Sequence, residues 1–500
     1  MELKNIIKDI SLSFVFTVVA TVLGYGMRSV FAKNLSIQDY GLFYAVLGFF
    51  AFFAIFRTLG TSDSIVHFIP KYSRYKNKDK LNYAISVVFK LQFILGTISA
   101  IIFFIFAKPI AVYFFHMEQA ALLIQIQAIA FFVIGFAEVF ASIFRGFQKN
   151  YLATAYDPIR LMVVMIGAVI LIKMDLFDAK NLMMLWLLGY IILTIVYFII
   201  FKMDYGIFVH EIKKTQNHKT KKSVIEDIRK YSMPLLFGVA AELIISKTDI
   251  LILTLFKGVN DVAFYEVAFP ASRLMMVFVS PFLFILFPLV SKFFFEKKKG
   301  QIKEILQMAY NTGIFLLAPI AALLIMYPEL VIKTIFTAQY IEAANALRIM
   351  TVGMFFLVFA QINFNILSGI GEIKSKTKIL YTVAIYNIIM DLILIPPYGY
   401  MGAIIVTSSS FFLLWMLSHF VCVKHIKFDL NLSSIVRIIF CLGIFLLSVI
   451  ALKQLLVLNI YLEAIIVSIA SFLLYLILGV FVFKIIKIDR LRELYKEVRK

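Results

Sequence analysis

Long apolar runs alternate with short polar clauses along the whole of this chain. Each run spans about 18–28 residues, and 18 or more with few charges is long enough to cross a bilayer as a helix. The pattern predicts fourteen spans, over 10–31, 41–60, 82–106, 120–144, 156–174, 181–201, 231–256, 263–290, 308–327, 343–367, 379–397, 401–423, 435–452 and 460–483. The stretch NLSIQDYGLFYAV (34–46) shows how little separates them: Asp39-Tyr40-Gly41 is a turn clause between two apolar helices, built from residue types that favour turns.

Composition turns this pattern into a class. Hydrophobic residues make up 62% of the chain and charged residues 16%, where a soluble domain is roughly half apolar and a quarter charged. Mean hydropathy is +0.95. The expected fold class is an all-α polytopic membrane protein. The first run reads as a span and not a cleavable signal: it is long, has no small-x-small cleavage site and leads directly into a second run.

The 49 lysines and arginines then orient the chain. With the N-terminus inside, the outer segments carry only Lys33, Lys108, Lys173, Lys180, Lys257, Lys333 and Lys453, and the inner segments carry most of the rest. Both termini are therefore expected on the cytoplasmic side of the plasma membrane. The net charge of +20 follows from this topology. It gathers in juxtamembrane clusters, EIKKTQNHKTKK (211–222), EKKK (296–299) and the tail KIIKIDRLRELYKEVRK (484–500), which suit anionic lipid and not nucleic acid. The tail has the spacing of an amphipathic surface helix.

Catalysis by a separate soluble domain is excluded, because the longest connecting segment is 202–230 and is polar and basic. No CxxC, HExxH or GxxxxGK[ST] motif occurs, the six histidines are scattered, and Cys422 and Cys441 read as buried thiols. The expectation is a protein that is not an enzyme and carries no cofactor.

The chain also repeats itself. GVNDVAFYEVA (258–268) echoes the first turn clause, with Asp261 facing Asp39 at an offset of 222. AKPIAVYFFH (107–116) matches YPELVIKTIF (327–336) in pattern, and FRGFQK (144–149) matches LSGIGE (367–372), with Gly146 facing Gly369. Three matches in order imply two parallel-repeat six-helix lobes. The division is an N-terminal lobe over 1–202, a basic linker over 203–230, a C-terminal lobe over 231–423, two extra spans within 424–483 and a basic tail over 484–500. A parallel repeat puts a site between lobes, near the midplane, and suits alternating access.

The segment AKNLSIQDYGLFYAVLGFFAFFAIFRTLGTSDSIVHFIPKY (32–72), with its L-S-x-x-D-Y-G clause and the later IPKY, resembles the opening of the polysaccharide-transporter flippases. This is the Wzx or O-antigen flippase group, in the MOP superfamily that also holds the MATE drug exporters and the lipid II flippase. The resemblance implies movement of a polyprenyl-linked oligosaccharide from the inner to the outer leaflet. The partners it implies are that lipid-linked oligosaccharide, on polyprenyl phosphate or diphosphate, membrane lipids and glycan-assembly enzymes. A MATE-like exporter of cationic drugs is the nearest alternative, and a membrane polysaccharide polymerase or ligase a more distant one.

Ionisable groups inside spans are costly unless paired or wet, so each is a candidate. The basic ones are Arg28, Arg57, Lys90, Arg160, Lys247, Arg273 and Arg348; the acidic ones are Glu138, Glu242, Asp249, Glu266 and Asp391. Lys90 is expected to snorkel, and Arg160 to pair with Asp157 one helical turn away. The lipid II flippase lines a cationic cavity with arginines on its first, second and eighth helices, and Arg28, Arg57 and Arg273 stand on the same spans. Their fork geometry suits phosphate oxygens; the other reading has Arg28 and Arg57 reaching lipid headgroups. The same family builds a sodium site from an acid on helix 7, an Asn and an Asp four apart on helix 11 and a Thr on helix 12. Asp249, Asn387, Asp391 and Thr407 match that arrangement. The alternatives there are a proton on a buried carboxylate or polar contacts that join helices.

Overall fold

A computed structural model describes residues 3–74, 77–211, 218–427, 432–455, 460–483 and 485, and the described chain is helical throughout, with no strands. The expected tail helix over 484–500, apart from residue 485, and the middle of the basic linker (212–217) lie outside the described residues. In chain order the helices are α1 (Leu3–Asn34), α2 (Ile37–Thr58), α3 (Thr61–Arg74), α4 (Lys78–Ile105), α5 (Ala107–Tyr113), α6 (Ala120–Gly146), α7 (Asn150–Thr154), α8 (Tyr156–Lys173) and α9 (Ala179–Glu211). They continue as α10 (His218–Phe256), α11 (Val259–Phe295), α12 (Lys299–Met326), α13 (Pro328–Ile335), α14 (Ala343–Gly369), α15 (Ile373–Tyr398), α16 (Tyr400–Ile426), α17 (Leu432–Leu455) and α18 (Ile460–Ile477).

Twelve helices among the described residues carry an apolar run long enough to span a membrane. Twelve of the fourteen predicted spans coincide with them. The stretch 231–256 is helical within α10, but Glu242, Lys247 and Asp249 break its apolar run and keep it out of the twelve. The stretch 460–483 is met by a shorter apolar helix, Ile466–Val482. Span 263–290 divides into Val259–Val279 and a shorter apolar stretch, Leu286–Phe295, within the continuous α11. Sequence patterning passed over α3, which lies in a segment expected to be a polar connection. Its buried residues Ile65, Phe68, Ile69 and Tyr72 recur at the spacing of a single helical face, so it is amphipathic and not a span.

The turn clause at 34–46 is the start of α2. Ser36 caps the helix, its hydroxyl accepting from the Asp39 amide at 3.0 Å and donating to the Asp39 carboxylate at 2.9 Å. An acid in the first turn also suits the helix dipole. Gly41 is required by a close approach. A Cβ built there would stand 1.9 Å from the Val259 carbonyl oxygen, so the first turns of α2 and α11 touch backbone to backbone.

The chain forms two compact units. The first is Met1–Glu266 with Lys333–Tyr340 and Asp391–Tyr400. In it α6 packs on α9, α4, α3 and α2, and α10 packs on α2, α3 and α4. The second is Val267–Ile332 with Ile341–Met390 and Met401–Lys500. In it α12 packs on α14 and α17, and α17 on α18. Its apolar centre includes Phe315, Ile438, Cys441, Phe445, Val449 and Tyr475, and the Tyr475 ring stacks on Phe315 at 4.6 Å while its hydroxyl donates to the Phe315 carbonyl at 2.9 Å. Cys422 and Cys441 are free, buried thiols.

The repeat appears in helix lengths. α4 and α12 each have 28 residues and begin at 78 and 299; α6 and α14 each have 27 and begin at 120 and 343. Short helices α5 and α13 follow α4 and α12 in the same register. Gly146 and Gly369 close α6 and α14, and at both a Cβ would press to 2.7 Å on a branched side chain, Ile69 or Val290.

Candidate functional site

Among the charged groups inside spans, four arginines are paired, Arg273 and Lys90 are exposed and form no ion pair among the described residues, and two acids lie together. Arg57, in the last turn of α2, is 1% exposed. It donates to the Phe131 carbonyl at 3.0 Å and to Glu138 at 2.6 Å, and its guanidinium lies 4.5 Å from the Phe131 ring centroid. In this structure Arg57 therefore reaches no headgroup. Two charge-assisted contacts and a ring face offset the cost of burying the cation.

Arg28 on α1 is also engaged. It donates to the Glu266 carboxylate at 3.0 Å and to the Glu266 backbone carbonyl at 3.1 Å, and it lies 4.5 Å over the Tyr44 ring. Tyr44 in turn packs against Tyr40, which packs against Tyr340. Arg28 retains 23% side-chain exposure and Glu266 only 7%. Arg273 belongs to the second unit and differs from both: it is exposed, forms no ion pair among the described residues, and has the Phe269 ring 5.7 Å away, one helical turn earlier. Arg160 pairs with Asp157 at 2.8 Å, Arg348 with Glu329 at 2.6 Å, and Lys90 is exposed.

The acids present the opposite case. Asp249, on α10, and Asp391, on α15, are both fully buried, and their carboxyl groups contact each other within the first unit. The Tyr265 hydroxyl donates to Asp249. No N–H or O–H donor among the described residues reaches either oxygen of Asp391. Ionised carboxylates only accept hydrogen bonds. Two of them in contact and away from water therefore need a shared proton or a cation between them.

Asn387, one turn before Asp391 on α15, is buried and donates to the Ser410 hydroxyl at 3.4 Å. Thr407, also buried, donates to the Ala403 carbonyl at 2.9 Å, and Ser410 follows it by three residues on α16. All four side chains are buried, Asp249 and Asp391 in the first unit and Asn387 and Thr407 in the second. No cluster of three or more His, Cys, Asp or Glu with metal-binding geometry occurs among the described residues.

Four of these residues had no role in the sequence reading. Glu138 and Glu266 were visible as acids in spans but not as partners of Arg57 and Arg28, which lie 81 and 238 residues away. Ser410 carries a signal in its spacing from Thr407. Tyr265 and Asp249 stand equally far on either side of Lys257, opposite each other on the α10–α11 hairpin.

The Polysaccharide biosynthesis protein family model matches residues 6–294, and the MatE family model matches residues 234–393. An uncharacterized membrane protein of Methanocaldococcus jannaschii is 31% identical, with 99% of each chain covered. A second uncharacterized membrane protein of the same organism is 26% identical over 40% of this chain and 47% of its own length. Among solved structures, the lipid II flippase MurJ in an inward closed conformation is similar with a TM-score of 0.73 at 18% identity, covering 94% of this chain and 98% of that one. An inward-facing multidrug resistance MATE family transporter of the MOP superfamily is similar with a TM-score of 0.67 at 15% identity, covering 84% of this chain and 98% of that one.

Proposed function

As this multi-span membrane chain belongs to the polysaccharide biosynthesis protein family, we propose that it is a flippase carrying a polyprenyl-linked oligosaccharide across the cytoplasmic membrane, driven by an ion in alternating access. The reading is of a transporter and not an enzyme, with N- and C-termini cytoplasmic. The observation that carries it is the contact of Asp249 with Asp391, whose oxygens have no other donor. A structural role alone would favour an opposite charge or a neutral partner at such a place. A site that takes up and releases a cation favours two acids, because the charge is supplied and removed in each cycle. Sodium or a proton fills this role, with Asn387 and Thr407 as further oxygen ligands when the ion is sodium.

On the substrate side, Arg273 is exposed and free to take a phosphate in fork geometry. Arg28 joins it when the lobes, divided as the internal repeat suggests, rearrange and release it from Glu266; Arg57, which shares a lobe with Glu138, joins it only when the headgroup phosphate displaces that carboxylate. The lipid tail stays in the bilayer while the anionic headgroup crosses, so binding at cationic side chains replaces the hydration the phosphate gives up.

The match of residues 234–393 to the MatE model favours a second reading, a cation-coupled exporter of cationic drugs. Proteoliposomes distinguish the two. Flipping of a lipid-linked oligosaccharide that depends on an imposed sodium or proton gradient, and that falls in Arg273→Ala and in Asp391→Asn, supports the flippase. Undiminished flipping in both variants removes the site assignment. Gradient-driven accumulation of a cationic dye, with no oligosaccharide flipping, replaces the flippase with the exporter.

A further inference from the structure

The first three turns of α10 expose two unlike faces. Ser223 and Asp227, four apart, point toward α3 and α4: Lys80 donates to the Ser223 hydroxyl at 3.1 Å, the Tyr72 hydroxyl donates to Asp227 at 2.9 Å, and Lys71 stands 3.8 Å from the same carboxylate. Burial and that hydrogen bond push the Tyr72 hydroxyl above its usual range, so it stays a donor. This face is satisfied.

The neighbouring face is not. Lys222, Ile225, Glu226 and Arg229 follow one another at helical spacing and, with Lys221 and Tyr83 of α4, line an open pocket of about 420 Å³. The Lys221 ammonium lies 6.0 Å from the Tyr83 ring centroid. Glu226 is four residues from Lys222 and three from Arg229, the spacing at which helical ion pairs form. Among the described residues it nevertheless closes no ion pair with either. Three cations and one acid therefore give the pocket a surplus of positive charge. Ile225 is 48% exposed at its rim.

The pocket's height in the fold says what it meets. Tyr83 lies in the first two turns of the apolar span Lys78–Ile105, and Arg229 directly precedes the apolar part of α10. The start of a spanning helix is the level at which lipid phosphates are expected. A soluble phosphate has no use for an exposed isoleucine beside its binding cations, whereas a phospholipid places glycerol and acyl chain there.

We propose that Lys221, Lys222 and Arg229, with Tyr83 and Ile225, bind the phosphate headgroup of an anionic membrane phospholipid in this pocket. The site is separate from the acids and arginines inside the spans. A cation near an anionic membrane contributes roughly fivefold to binding, so removing three charges lowers affinity on the order of 100-fold.

Native mass spectrometry of the purified full chain in detergent tests this, with dioleoylphosphatidylglycerol titrated against dioleoylphosphatidylcholine. Wild type is expected to retain phosphatidylglycerol, and Lys221→Gln/Lys222→Gln/Arg229→Gln to lose it. Lys33→Gln/Lys108→Gln/Lys180→Gln, which removes three exposed lysines that belong to no basic cluster, keeps it. Glu226→Gln removes the acid and raises affinity about fivefold, a gain that misfolding does not produce. Retention by the pocket triple variant, equal loss in the control triple, or an unchanged Glu226→Gln overturns the proposal. Displacement of the lipid by millimolar inorganic phosphate overturns it in favour of a free-phosphate site.

Discussion

Arg57–Glu138 and Asp249–Asp391 are both charged pairs inside the first unit, and they solve burial in opposite ways. The first is closed on itself: the cation has a carboxylate, a carbonyl and a ring face. The second pairs like with like and leaves the oxygens of Asp391 without a donor. A closed pair needs nothing from outside the protein. An open one is complete only with a proton or cation that the protein does not itself contain. In the proposed flippase, the contrast separates charges that hold helices together from charges that take up an ion.

Substitutions can break the contrast from either side. The largest effect is expected at the open pair. Asp391→Asn should lower gradient-driven flipping in proteoliposomes by on the order of 100-fold, the loss of one ligand of a required ion. It should leave the unfolding midpoint equal or higher, since a like-charge contact is relieved. A variant that transports normally would make the acid pair a structural feature.

Glu138→Gln should act the other way. It leaves a buried arginine without its counter-charge. A fully buried partner is worth 3–5 kcal/mol, and with the Glu138 side chain 38% exposed a loss of about 2 kcal/mol is expected in denaturant unfolding. Arg57→Met/Glu138→Met should recover most of it, because an apolar pair of similar volume needs no counter-charge. Gly41→Ala should cost about 1–2 kcal/mol, because its methyl would have to displace the Val259 carbonyl. The smallest change belongs to an unpaired cation: Arg273→Gln should shift stability by less than about 0.5 kcal/mol while reducing headgroup affinity, which a binding assay with the lipid-linked oligosaccharide reads separately.

These residues also show what a sequence makes legible. Span positions followed from apolar run lengths, because the bilayer sets helix length and interior composition together. The repeat was visible in three short matches, and the equal lengths of α6 and α14 extend it to whole elements. α3 was hidden because an amphipathic helix and a polar connection have similar average composition. Within the site, Asp249 and Asp391 stood out because an acid in an apolar run is conspicuous. Their contact did not stand out, and neither did Arg28 with Glu266: helix partners separated by 238 residues are set by how helices pack, which no local pattern encodes. Glu266 stands seven residues before Arg273 on the same helix, yet its ion pair is with Arg28 of another helix.

One helix joins several of these features. α10 runs unbroken for 39 residues, from the basic pocket to the carboxylate that meets Asp391. Twenty residues separate Arg229 from Asp249, about 30 Å of helix. Pro234 lies near the pocket end and deletes one rung of the backbone ladder. Mechanically, this makes α10 a strut with its weakest joint close to one end. A bend at that joint would swing the acid-bearing length as one piece, so the angle at Pro234 becomes a single coordinate in which the position of Asp249 can be expressed.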